Sequence, residues 1–100
     1  MKTPRLNENQ IEAELAACDE GWVASKGVIT REITAPTFPQ GIELVKAVAD
    51  AAEQMNHHPD IDIRYRRVRF ALTTHDSGGL TKLDFELARA IDAAARQFSR

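Results

Sequence analysis

Ile61-Asp62-Ile63-Arg64-Tyr65-Arg66-Arg67-Val68-Arg69-Phe70-Ala71-Leu72 is the stretch on which the fold turns. Apolar and polar residues alternate on both sides of its centre, the period-two pattern of half-buried strands. Two such runs back to back predict an antiparallel hairpin. With Arg66-Arg67 as the turn, Tyr65 faces Val68, Ile63 faces Phe70 and Ile61 faces Leu72, so every apolar residue meets an apolar partner. That turn lacks the Gly or Asn that a tight two-residue connection prefers. Extended to the open end, the same register sets His58 opposite His75 and His57 opposite Asp76. Opposed Cβ atoms lie roughly 5 Å apart, and Pro59 tends to end the pairing nearby, so the contact is approximate. All three histidines of the chain still converge on one end of one hairpin.

Working outward, Leu44, Val45, Val48, Ala52 and Met55 form the apolar stripe of a helix that precedes the hairpin. Thr37 with Gln40 supplies its capping pattern. Pro59 disfavours helical geometry at His58, so this helix should stop near Asn56. After the hairpin, a third helix starts at Thr81 with Asp84 as its capping-box acid and Leu83, Leu87, Ile91, Ala94 and Phe98 as its stripe. Towards the N-terminus, a first helix is expected over residues 8–20, capped by Asn7 with Gln10 and stapled by Leu6 and Ile11. Its stripe includes Cys18, which reads as a core residue before it reads as a nucleophile. Between the first two helices, residues 22–24 and 28–34 read as strands joined by a turn at Ser25-Lys26-Gly27. The order is helix, two strands, helix, two strands, helix. It predicts an α+β domain with an antiparallel sheet and helices packed on one face.

The totals bound the function. One hundred residues make a single domain, 1–100, with one core. A net charge of −2 recommends neither nucleic acid nor an anionic membrane as partner. The arginines Arg64, Arg66, Arg67 and Arg69 read as the wet side and tip of the hairpin. A single cysteine forms no internal disulfide, no apolar run approaches membrane-spanning length, and the start lacks the apolar core of a secretory signal, so the expected location is cytoplasmic. Histidine transfers protons near neutral pH, and several in one pocket can divide the roles of acid and base. Glu53, one turn before His57, and Asp84 are the carboxylates placed to orient them.

Glu53-Gln-Met-Asn-His57-His58-Pro59-Asp60, then Tyr65, Thr73-Thr74-His75, Gly78-Gly79-Leu80-Thr81 and Asp84 together resemble the signature of the pterin-4a-carbinolamine dehydratases. The likeness is tightest from Glu53 to about Ile91 and extends more loosely to Gly21-Trp22. It implies a four-stranded antiparallel sheet with three helices on one face, assembly as a homodimer or homotetramer, and no metal or organic cofactor. The implied reaction dehydrates 4a-hydroxytetrahydrobiopterin to the quinonoid dihydropterin, in tetrahydrobiopterin recycling. The resemblance gives catalytic roles to His57, His58 and His75. It gives substrate-site positions to Glu53, Asn56, Thr73, Thr74, Asp76 and Asp84. His58 and His75 are the expected transferring pair, with His57 as binder or second acid. Two departures stand out: Asn56 occupies a position where members often carry Asp, and Ile33 and Ala35 occupy positions where they often carry aromatics.

Other readings attach to the same residues. Three imidazoles can hold zinc with an open position, although adjacent His57-His58 is not the usual helical ligand spacing. Asp84 can act solely as a cap, and Gly78-Gly79 reads as a tight turn, not a phosphate loop. A non-catalytic dimerisation module for a protein partner is the alternative function, since an unpaired hairpin edge can extend a sheet across an interface.

Overall fold

The computed structural model describes residues 2–98. Its elements are α1 (Glu8–Ala17), β1 (Val23–Ser25), β2 (Val28–Thr34), α2 (Phe38–Met55), β3 (Asp60–Arg64), β4 (Arg67–Leu72) and α3 (Lys82–Phe98). One 3-10 turn, His75–Ser77, lies between β4 and α3. The strands form one antiparallel sheet in the order β1-β2-β4-β3, and the α+β order expected from the sequence is the order found. Alternation places Ile29, Ile33, Val68, Phe70 and Leu72 on one sheet face, where they are buried with Leu44, Val48 and Ala52 of α2 and Phe85, Leu87, Ala88 and Ile91 of α3. Leu6, Ile11 and Leu15, in and before α1, pack against the same cluster. The opposite face carries cross-strand charge partners, Glu32 and Asp62 both abreast of Arg69. No helix among the described residues is long and apolar enough to cross a membrane.

The capping expectations hold. Asn7 Oδ1 accepts from the Gln10 amide and the Gln10 side chain accepts from the Asn7 amide, both at 2.8 Å. Thr37 Oγ1 accepts from the Gln40 amide. Asn56 ends α2 in the left-handed conformation, φ 50, which asparagine tolerates better than most residues. Lys26 and Gly27 both have positive φ at the β1–β2 turn, which glycine permits without strain.

Three expectations need correction. The first helix ends at Ala17, not near residue 20. Cys18 is extended, and the next amide, that of Asp19, donates to the Asp92 carboxylate at 2.9 Å instead of continuing the helix. On α3, the buried stripe is wider than the one expected, because Phe85, Ala88, Asp92 and Ala95 are buried while Leu83 is only partly so. The third correction is the hairpin register. The connection is Tyr65-Arg66, so Arg64 pairs with Arg67, Ile63 with Val68 and Ile61 with Phe70. Tyr65 adopts φ 52, costly for a bulky residue. Its ring stacks on Phe38 with centroids 6.5 Å apart, and the Arg66 guanidinium lies 5.5 Å from its centroid. The Arg66 carbonyl accepts from the Ala35 amide at 2.9 Å, which fixes the turn against the segment leading into α2.

Candidate active site

The observed register, extended past the start of β3, brings His58 abreast of Thr73 and His57 abreast of Thr74, with Asn56 abreast of His75. The expected partners His75 and Asp76 are therefore displaced by two residues. The convergence survives the shift, because all of these residues lie at the same end of the hairpin. Residues 56–58 form one wall of a hollow of about 260 Å³ and residues 73–76 form the other. That volume lies just under the ~300 Å³ floor of drug-sized pockets and suits a small flat heterocycle. Two larger hollows, about 430 Å³ beside the Tyr65 turn and about 510 Å³ between α1 and β1, contain no histidine.

Local structure explains each position. The left-handed Asn56 turns the chain out of α2, and the His57 amide donates back to the Ala52 carbonyl at 3.0 Å. His57 is thereby buried beneath the pocket and His58 is left exposed above it. His75 opens the 3-10 turn, which closes through the Gly78 amide donating to the His75 carbonyl at 3.1 Å. The N-terminal segment braces this turn from outside. Ser77 Oγ donates to the Thr3 carbonyl, the Leu6 amide donates to the Leu80 carbonyl at 2.8 Å, and Arg5 lies so close over Gly79 that a Cβ there would meet its Cδ at 2.7 Å.

The histidines differ in their partners. His57 Nε2 lies 2.6 Å from Asp84 Oδ1, both groups buried. His58 Nε2 lies 2.8 Å from Glu53 Oε1, in an exposed pair whose geometry solvent and salt loosen. No carboxylate partner meets the His75 ring among the described residues. Thus one ring is held rigidly, one loosely and one not at all. Glu53 and Asp84 stand behind histidines and do not line the hollow, whereas Asn56, Thr73, Thr74 and Asp76 line it directly. The Thr73 hydroxyl points away, donating to the Gly27 carbonyl at 2.6 Å. Thr74 is buried and bonded to Asp84 and Thr81. Asp84 closes the capping box as well, accepting from the Thr81 amide at 2.9 Å.

Thr81, expected at the start of the third helix, has a further place: its hydroxyl belongs to the buried polar group behind His57, a contact that no local pattern announces. Among the described residues, no three His, Cys, Asp or Glu side chains cluster around one point as a metal ion requires. Burial, followed by the charge of Asp92, pushes the Cys18 thiol above its ordinary pKa, consistent with a packing residue.

Residues 4–94 match the model of the family described as Pterin 4 alpha carbinolamine dehydratase. The chain belongs to that family. Relatives provisionally named pterin-4-alpha-carbinolamine dehydratase include one from Mycobacterium tuberculosis, 50% identical over 88% of this chain and 93% of its own. One from Nocardia farcinica is 49% identical over 96% of this chain and all of its own. One from Chloroflexus aurantiacus is 53% identical over 89% of this chain and 95% of its own. Among solved structures, a Brucella melitensis protein described as a transcriptional coactivator/pterin dehydratase superposes with TM-score 0.86 at 34% identity, over 91% of this chain and 98% of that one. A pterin dehydratase-like protein described as a RuBisCO assembly factor in the alpha-carboxysome shares the fold, with TM-score 0.63 at 19% identity over 74% of this chain and 86% of its own.

Proposed function

We propose that this chain, as a single domain, is a 4a-hydroxytetrahydrobiopterin dehydratase in which His57, His58 and His75 provide general acid and base. The observation that carries this reading is the hollow of about 260 Å³ shared by three imidazoles with three different sets of partners. Loss of water breaks the C4a–O bond, with a proton delivered to the leaving hydroxyl. The N5 proton goes to a base as the C4a=N5 bond forms. No electrons are exchanged, so the residues in hand balance the step. His58 and His75, the more open rings, transfer these protons, and His57 holds the substrate hydroxyl. Asn56 and Asp76 at the rim offer the polar groups a pterin edge requires.

The test is turnover of chemically generated carbinolamine by single alanine variants, with and without chelator. General acid–base groups contribute about 10²–10⁴-fold, so His58→Ala and His75→Ala should each fall by about that factor. Near-normal rates in both would refute the assignment. A rate abolished by chelator would transfer the site to a metal.

Self-association belongs to the same reading. Strand β3 is an unpaired sheet edge, and Phe38, Ile42, Ile63 and Tyr65 expose apolar surface beside it. A homodimer or homotetramer would cover that surface, and light scattering of purified protein measures it directly. A module whose role is to bind a protein partner is the competing reading supported by the same surface. It predicts stoichiometric capture of one partner together with no effect on carbinolamine breakdown.

A further inference from the structure

Asp84 is completely buried in the first turn of α3. Its carboxylate receives three groups: His57 Nε2 at 2.6 Å on Oδ1, and Thr74 Oγ1 at 2.8 Å and the Thr81 amide at 2.9 Å on Oδ2. A carboxylate has no proton to give, so the imidazole nitrogen facing it is the donor. This places a proton on His57 Nε2, so the neutral ring is the Nε2–H tautomer. Its Nδ1 has no hydrogen bond among the described residues, and every fully enclosed side-chain nitrogen or oxygen there has one, so Nδ1 is the nitrogen open to the hollow. The single hydroxyl proton of Thr74 goes to Asp84. Thr81 Oγ1, 2.8 Å from Thr74 Oγ1, must therefore donate to it, while accepting from the Leu83 amide at 3.2 Å. Every donor in this chain has one available acceptor, so the direction of each bond is determined.

The geometry points to Thr74 as a positioning residue for His57, acting through the Asp84 carboxylate, and not as a residue whose hydroxyl touches substrate. The Thr81 amide alone leaves the carboxylate free to pivot about one Oδ2 contact. The Thr74 hydroxyl supplies the second direction and holds Oδ1 on the histidine. When the hydroxyl is removed, Asp84 loses that orientation and His57 can populate the other tautomer, with Nε2 unprotonated. Thr73 lacks this role, because its hydroxyl is engaged by the Gly27 carbonyl on the far side of the strand. The catalytic half of this inference rests on the dehydratase reading, whereas the tautomer half does not.

The experiment uses full-length protein labelled with ¹⁵N at histidine, and compares wild type, Thr74→Val, Thr74→Ala and Thr74→Ser. Long-range ¹H–¹⁵N correlation reads the tautomer of each ring, and carbinolamine turnover gives kcat, KM and their pH profiles. Wild type and Thr74→Ser should show His57 as one Nε2–H species. Thr74→Val, or Thr74→Ala should valine prevent folding, should show mixed tautomers, with kcat lower by at least about tenfold and KM little changed, as loss of one bond to a buried carboxylate implies. A His57 tautomer unchanged in both the valine and alanine variants overturns the inference whatever the rates. So does a raised KM at unchanged kcat, which would mark a direct substrate contact. A tautomer that shifts as expected in protein without turnover upholds the positioning role and refutes the dehydratase reading alone.

Discussion

Replacing Asp92 with asparagine should destabilise the fold severely without touching the pocket. Asp92 is buried on α3 and receives three donors: Trp22 Nε1 at 2.8 Å and the Arg31 guanidinium on Oδ1, and the Asp19 amide at 2.9 Å on Oδ2. Asparagine offers one oxygen and one NH2. If the oxygen faces Trp22 and Arg31, the NH2 meets the Asp19 amide; if it flips, the NH2 meets the indole and the guanidinium. Either orientation opposes donor to donor and leaves at least one buried group unsatisfied, about 1–3 kcal/mol. The half-buried Arg31 also loses its counter-charge, and breaking a fully buried pair costs about 3–5 kcal/mol. At 15% side-chain exposure Arg31 recovers part of its hydration, which discounts that figure. The sum is about 3 kcal/mol. For a chain of this length that lowers Tm by about 12 °C or more. Urea unfolding followed by far-UV dichroism and by fluorescence of Trp22, the only tryptophan, measures it. A loss below about 1 kcal/mol would mean that the three bonds are not what anchors residues 18–31 to α3.

Other sites give sharper or milder outcomes. Tyr65→Asn should be neutral or stabilising by up to about 1 kcal/mol in protein dilute enough to be monomeric, because asparagine accepts φ 52 more readily; chemical denaturation checks it. Asn7→Ala removes the capping box of an exposed helix and should cost about 1 kcal/mol, visible as a small shift in urea midpoint at constant slope. Cys18 should alkylate with iodoacetamide more slowly than a free thiol at mildly alkaline pH. Its pKa is raised, so the thiolate fraction is reduced, and the stability it contributes is full below the unfolded pKa and lost as pH rises through the folded one. Unfolding in urea should restore the ordinary alkylation rate.

Periodicity and local spacing made the α+β order, all three capping patterns and most of the core legible in the sequence, because each is a local statement about burial or backbone hydrogen bonding. What it could not reveal were partners distant in sequence. Asp92 lies on the same helical face as Ala88 and Ala95, and a pattern that counts apolar residues reads it as an interruption. Its donors come from Asp19, Trp22 and Arg31, some sixty to seventy residues away. The early end of α1 follows from the same cause, since nothing near Cys18 announces that the next amide belongs to a carboxylate on another helix. The polar group behind His57 was half visible. Asp84 reads locally as cap or orienter, and it is both, but the hydroxyl that aligns it comes from Thr74, in a loop whose course no local rule dictates.

The hairpin error shows why the candidate site was nonetheless readable. Moving the turn from Arg66-Arg67 to Tyr65-Arg66 shifts every cross-strand partner by two residues, an even number. Side chains alternate with period two, so an even shift keeps Ile61, Ile63, Val68 and Phe70 on the face towards the helices. Apolar matching alone therefore cannot distinguish the two registers. Turn chemistry favoured neither, since both pairs lack glycine and asparagine. The choice was made by tertiary contacts: Ala35 on the Arg66 carbonyl, and Phe38 and Arg66 against the Tyr65 ring. A two-residue slide moves partners by about 7 Å along a strand, yet the histidine-bearing segments are anchored elsewhere. Asn56 turns His57 and His58 out of α2, and Thr74 bonds Asp84 and Thr81 at the start of α3. Both anchors belong to helices packed on the same sheet face, so the end at which the histidines gather depends on helix termini and only secondarily on which rung of the ladder they occupy.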